Sequence, residues 1–214
     1  KGRTMISVAW SLTRQDHGEQ PFWLGTILAA MLGQIGLPGG GIGFGYGATN
    51  TVGLERAFPR FQALPQGHNK VKTFIPVARI TDLLENPGGS FDYNGKTYTY
   101  PDTKLIWWAG GNPFHHHQDL NRLRRAWAGP ETVIVNEWCW NSLAQHADII
   151  LPCTTPLERN DITLSPRDPY LVMMDKVVEP AGHARDDYNI FRGIAKHLGI
   201  EEKYTEGRSA EEWI

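Results

Sequence analysis

The sequence predicts an α/β fold built on a parallel sheet, and three observations point to it. Strand-like and helix-like patterns alternate between Lys104 and Leu151. The segments joining the strands are long enough for crossovers, which parallel pairing requires. An amphipathic helix with apolar Tyr188, Phe191, Ile194, Ala195 and Leu198 on one side then runs from Asp187 to Leu198, with Gly199 after it.

In chain order, Met5 to Trp10 is short, apolar and partly β-branched, which predicts a buried strand. Pro21 opens the strongly apolar segment Phe22 to Leu32, predicting a helix buried nearly all round, ended by Gly33, Gly36, Pro38 and Gly39. The glycine-rich run 39–53 follows a helix and leads into more loop, so it is not the phosphate-binding GxGxxG turn and reads as loop. An irregular excursion at about 54–103 comes next. It holds a short helix over Val77 to Leu84 and a type I′ hairpin around Asn94-Gly95 in FDYNGKTYTY. The core spans 104–199. Its strands are Lys104 to Ala109, Thr132 to Val135 and Asp148 to Leu151. Between them lie a helix at Asp119 to Trp127 and a helical turn at Ser142 to His146. Tyr170 to Val178 reads as extended, and Ser209 to Glu212 as the start of another helix.

Of the 214 residues, 41% are hydrophobic and 21% charged, as in an ordinary globular domain. A formal net charge of −2 gives no electrostatic case for nucleic acid or an anionic membrane surface. No apolar run has the length of a membrane span. Cys139 and Cys153 form no CxxC pair and read as small buried hydrophobes. The chain opens on Lys1 rather than Met and stops inside a helix-like stretch, so it is expected to be a piece of something longer.

Ligands of open parallel sheets sit beyond the carboxyl ends of the strands. Ser11, Arg14 and His17 follow the first strand here, and Gly110 to Pro113 with three histidines follow the second. Asn136 and Glu137 follow the third, and Thr154 to Asp161 the fourth. Such a crest of polar groups suits a large polar ligand with phosphates, sugars and heterocycles. The consecutive histidines His115, His116 and His117 diverge in direction, which argues against a metal site. Hydrogen bonding at a helix N-terminus suits them better. Glu158 and Asp161 in LERND read as structural hydrogen-bonders. No GxSxG elbow or activated cysteine marks a nucleophile.

The strings AWSLTRQDHGEQPFW (9–23), AAMLGQIGLPGGGIGFGYG (29–47), WAGGNPFHHHQDLNRL (108–123) and ADIILPCTTPLERNDI (147–162) resemble the molybdopterin oxidoreductases of the dimethyl sulfoxide reductase family. FIPVARITDLLENPG (74–88) does too. The likeness covers nearly the whole chain and is nearest the biotin sulfoxide and trimethylamine N-oxide reductases. It implies that residues 1–214 are part of a central α/β domain, a variant dinucleotide-binding (Rossmann-like) parallel sheet with helices on both faces. The implied cofactor is molybdenum held by two molybdopterin guanine dinucleotides (bis-MGD), in an enzyme that removes oxygen from S-oxides or N-oxides. The implied partners are the remaining domains of the polypeptide, a small S-oxide or N-oxide, and an electron-donor protein. The resemblance leaves the compartment open between the bacterial periplasm and the cytoplasm, with the periplasm slightly favoured. The metal-binding serine of the group has no counterpart here, so the resemblance implies no catalytic and no metal-ligating residue in this chain.

Carried over residue by residue, Trp10, Ser11 and Arg14 resemble a segment packing against a pterin. Asn112, His115 and His117 resemble a loop contacting the nucleotide. Asn136 and Glu137 stand where a sugar or base contact follows a strand. Arg159 resembles a cofactor-contacting arginine. Asp187 in RDDYNIF resembles the aspartate that reads guanine, whose two adjacent donors one carboxylate can accept together. Asp186, its neighbour, is the N-cap candidate. Alternatives are a stand-alone guanine-nucleotide module, or another molybdopterin enzyme such as a formate dehydrogenase or nitrate reductase.

Overall fold

The computed structural model describes residues 2–44, 67–164 and 169–214. The chain divides into two compact units, Lys1–Arg60 with Leu164–Leu171, and Phe61–Thr163 with Val172–Ile214.

In the first unit, β1 (Met5–Val8) passes through a 3-10 turn (Trp10–Thr13) into α1 (Gln20–Met31) and returns as β2 (Gly41–Phe44). The two strands pair in parallel, Met5 opposite Gly41 and Val8 opposite Phe44. The loop reading of the glycine run is thus corrected over 41–44. Gly41 and Gly43 have no side chains, so the strand alternation they belong to leaves no trace in the sequence. Residues 45–53 of that run, and 54–66 of the expected excursion, lie outside the described residues. Gly25 sets the distance between helix and sheet, because a Cβ there would sit 3.2 Å from Val8 Cγ1 and 3.4 Å from Ile42 Cδ1.

The expectation of a fully buried α1 is also corrected. Gly25 and Ala29 are its buried residues, while Trp23, Leu24 and Met31 are 66%, 64% and 79% exposed. A two-stranded sheet is too narrow to cover a helix that is apolar on every side.

The second unit begins with a 3-10 turn (Val77–Arg79) that runs into α2 (Ile80–Glu85). β3 (Ser90–Tyr93) and β4 (Lys96–Thr99) then form the expected hairpin, with Tyr93 opposite Lys96. Its two loop residues, Asn94 and Gly95, have φ of 48° and 73°, the signs a type I′ turn needs.

The sheet that positions the site consists of β5 (Leu105–Ala109), β6 (Thr132–Glu137) and β7 (Ile149–Pro152), parallel and in that order. The link from β5 to β6 carries the single turn α3 (Pro113–His116) and α4 (Leu120–Ala126). The link from β6 to β7 carries only a 3-10 turn (Ala144–His146). Strand alternation sends Ile106, Trp108, Val133 and Val135 to one face. There they join Leu123 and Trp127 from the α4 side, with Phe114 and Leu143, in the main core. Leu123, Val135 and Leu143 are completely buried, each contributing about 1.5–3 kcal/mol relative to an exposed position. Arg122 ties α4 to α2 by pairing with both Asp82 and Glu85.

Trp107 points from the opposite face and meets Phe191 of α5 (Asp187–His197) at 5.2 Å between ring centroids. β8 (Asp161–Leu164) and β9 (Leu171–Met174) pair with each other, and α6 (Glu201–Thr205) and α7 (Ala210–Trp213) complete the unit. Extended pairing within Tyr170 to Val178 is confined to β9. The whole is a mixed α/β structure with parallel sheets and helices. Among the described residues no helix is long and apolar enough to cross a membrane.

Candidate functional site

Loops leave the carboxyl ends of β5, β6 and β7, and the N-terminus of α5 stands beside them. The backbone explains this last placement. Cys153, just past β7, forms a parallel bridge with Arg185. The Arg185 N–H donates to the Pro152 carbonyl, and the Thr154 N–H to that of Arg185, each at 3.1 Å. The helix therefore starts level with the strand ends. Asp186 caps it, accepting from the Asn189 backbone N–H at 2.8 Å. Asp187, at the first helical position, is left out of the cap, and the helix N-terminus favours its negative charge.

These elements enclose a cleft of about 850 Å³, walled by Gly110, Asn136, Glu137, Cys153, Arg159 and Asp187 among others. A second cavity of about 380 Å³ shares Arg159 and Asp187 with it and is lined further out by Tyr188 and Trp213. Both fall within the range of about 300–1,000 Å³ typical of small-molecule sites.

Gly110 and Gly111, with φ of 82° and 72°, turn the chain away from β5. Nothing lies within 4 Å of a Cβ at either position, so the demand is on backbone conformation and not on space. The Gly110 carbonyl is held by Trp108 Nε1 at 2.9 Å. Asn136 joins strand to helix. Its Oδ1 accepts from Trp107 Nε1 at 3.0 Å, and its Nδ2 donates to Asp187 Oδ1 at 2.7 Å. Glu137 is 8% exposed; its Oε1 accepts from the Trp138 N–H at 3.0 Å.

Arg159 is clamped by Asp161 Oδ2 at 3.0 Å and the Thr154 carbonyl at 2.8 Å, so its guanidinium is fixed in the cleft wall. Burial, with the nearby Asp187 and Glu137 carboxylates, pushes the Cys153 thiol up to about 11. Thr155 and Ala181 backbone N–H groups donate to Glu158 and hold its carboxyl below the usual range. Thr155 caps the turn Pro156–Glu158, and Glu158 closes a capping box by accepting from the Thr155 N–H, in keeping with the structural reading of LERND.

Of the residues singled out in the sequence, Asn112, His115, Asn136, Glu137, Arg159 and Asp187 line this one cleft. His116 also lines it; His117 does not, and stands edge-on to Trp108 at 6.4 Å. Asn112 is the N-cap of α3, accepting from the Phe114 N–H at 2.9 Å, so its oxygen shapes the loop. Trp10, Ser11 and Arg14 belong to the other unit. They occupy or follow its exposed 3-10 turn, with Trp10 5.7 Å from Phe44 between ring centroids.

The expectation that both cysteines are buried is corrected: Cys139 is exposed on the loop after β6 and Cys153 is half-buried. That loop carries neighbouring Trp138 and Trp140 outward as well. Sequence reasoning missed Trp107 as a support of the site and Trp213 as an outer wall. The one available signal was the alternation that puts Trp107 on the face opposite its two neighbours. Among the described residues no three His, Cys, Asp or Glu side chains stand together as a metal site.

The fold and cleft define an α/β domain with a polar-lined cleft at the carboxyl edge of a parallel sheet. Family comparison makes this specific: the chain belongs to the molybdopterin oxidoreductases, whose family model matches residues 2–197. It is 48% identical over 212 residues to a biotin sulfoxide reductase of Cereibacter sphaeroides, covering 99% of this chain and 28% of that protein. A dimethyl sulfoxide/trimethylamine N-oxide reductase of the same organism is 47% identical over 225 residues, covering 100% of this chain and 27% of its own length. A trimethylamine-N-oxide reductase of Haemophilus influenzae is 46% identical over 228 residues, with 99% and 27% covered. The chain thus spans little more than a quarter of these relatives. Among solved structures, an acetylene hydratase from Pelobacter acetylenicus aligns with a TM-score of 0.44 at 26% identity, over 49% of this chain and 14% of its own.

Proposed function

We propose that this chain is the cofactor-binding part of a larger molybdenum reductase acting on S-oxides or N-oxides, and that its cleft takes the guanine dinucleotide end of bis-MGD. The reading rests above all on one observation: six residues from four separate sequence segments line a single ligand-sized cleft. The variant dinucleotide-binding fold is part of the same proposal. It is supported by a parallel sheet with helical packing on both faces and polar loops at its carboxyl edge.

The donor and acceptor set suits such a group. Asp187 offers a charged acceptor to the two adjacent donors of a guanine edge. Arg159 and the open backbone at Gly110 and Gly111 suit phosphate oxygens. Trp10, Ser11 and Arg14 form the pterin-facing segment in this proposal, supported by the exposure of their turn. Bound molybdenum and its dithiolenes would supply the oxygen-atom transfer, and the residues of this chain bind and orient. No residue here is assigned a catalytic role.

The proposal is tested by Asp187→Ala in the complete polypeptide, assayed for molybdenum and for guanine released per chain. Two charge-assisted hydrogen bonds at about 1.5–3 kcal/mol each imply retention at least about a hundredfold weaker. Unchanged guanine and metal content sinks the assignment.

A further inference from the structure

We infer that Trp107 is a positioning residue that acts through Asn136 to fix how Asp187 presents its carboxylate; the inference rests on the guanine reading just given. An asparagine amide has two faces that differ only in which atom is nitrogen, and a free amide could offer Asp187 either one. Here the chemistry at both ends decides. The indole N–H of Trp107 only donates, so the atom facing it at 3.0 Å must be Oδ1. An ionised carboxylate only accepts, so the atom facing Asp187 at 2.7 Å must be Nδ2. The two contacts are satisfied together in one orientation, and Asn136 is 4% exposed, away from competing water.

Trp107 is itself immobilised by the Phe191 ring at 5.2 Å, so the anchor and the residue it serves are tied to the same helix. The consequence falls on the ligand. With one lone pair of its Oδ1 engaged by Asn136, the remaining acceptor capacity of Asp187 sits in the wall of the cleft. That arrangement selects a base edge carrying two adjacent donors and rejects one carrying a single donor. Among purines it distinguishes guanine from hypoxanthine, which lacks the 2-amino group. Turned over, the amide would put its oxygen against the carboxylate, and Asp187 would lose the hydrogen bond that aims it.

The test uses the complete polypeptide freed of cofactor, titrated with GDP and with IDP. The parent is expected to prefer GDP about tenfold, the size of one charge-assisted hydrogen bond. Trp107→Phe keeps the ring on Phe191 and removes the N–H; the preference should fall to within about threefold of unity while the thermal midpoint barely moves. Asn136→Asp keeps the shape, still accepts from Trp107, and sets a second carboxylate against Asp187, so it should lose the preference as well. This near-isosteric variant carries the test if Trp107→Phe does not fold. Should Asp187→Asn abolish the preference while both other variants keep it tenfold, the relay is overturned and the guanine reading stands. If the parent shows no preference, or Asp187→Asn retains it, the guanine reading itself falls and the relay with it.

Discussion

The two units of this chain use the same parallel strand–helix–strand pattern to different ends. Around β5–β7 the apolar face of the sheet is sealed by Leu123, Trp127 and Leu143, and the polar residues at its edge are held by named partners. Around β1 and β2 the helix touches the sheet through Gly25 and Ala29 and leaves Trp23, Leu24 and Met31 open. A sealed core lets edge residues be held to within a hydrogen bond, which a binding site requires. A helix apolar on all sides over two strands gives close contact but little enclosure. The difference teaches that a site follows from what fixes the strand ends, not from the strand–helix–strand motif alone.

Core truncation probes this contrast with the largest expected effect. Leu123→Ala should cost about 2–5 kcal/mol, whereas Leu24→Ala on the open face of α1 should stay within about 0.5 kcal/mol. Chemical denaturation of both variants measures it, and similar losses would erase the distinction between the units. Next comes overpacking. Gly25→Val places carbon where Val8 Cγ1 is already 3.2 Å from a Cβ, for an expected loss of about 1–3 kcal/mol. A neutral result would show that α1 can lift off its sheet.

Thiol chemistry gives a finer contrast inside the cleft itself. At pH 8 Cys153, held up to about 11, remains a thiol, while Cys139 is exposed. Maleimide followed by peptide mass spectrometry should therefore label Cys139 first. Labelling of Cys153 at the same rate would mean that the β7 end is open to solvent.

The smallest effect concerns Glu158. Its folded-state pKa lies below its unfolded one, so the stabilisation it gives is complete above the unfolded value of about 4.3 and drains away as pH falls through the folded value. Glu158→Gln should lose less stability than the parent between pH 7 and pH 3, read as the shift in urea midpoint. Equal shifts would show that the carboxylate is free of Thr155 and Ala181.

How much of this was legible in the sequence depended on side chains carrying the signal. The hairpin was plain because Asn94-Gly95 demands positive φ at both positions. The core strands were plain from β-branched and aromatic runs, and Asp186 from its place before an apolar period. β2 was hidden because half of its residues are glycines. The open face of α1 was hidden because composition reports how apolar a helix is, not how much sheet lies beneath it. At the site, sequence named the residues at the strand ends but not which of them merely support others. Asn112 shapes a loop and Trp107 holds an amide, and those roles exist only in the hydrogen-bond partners.

The most direct measurement is photolabelling of the cofactor-free complete polypeptide with 8-azido-GDP, followed by mapping of the modified peptides. Label is expected in the peptides containing 110–116, 136–141, 153–159 and 187–191, and suppressed by unlabelled GDP but not by ADP. Label confined to other peptides, or competed equally by ADP, would contradict a guanine nucleotide site at the ends of β5, β6 and β7.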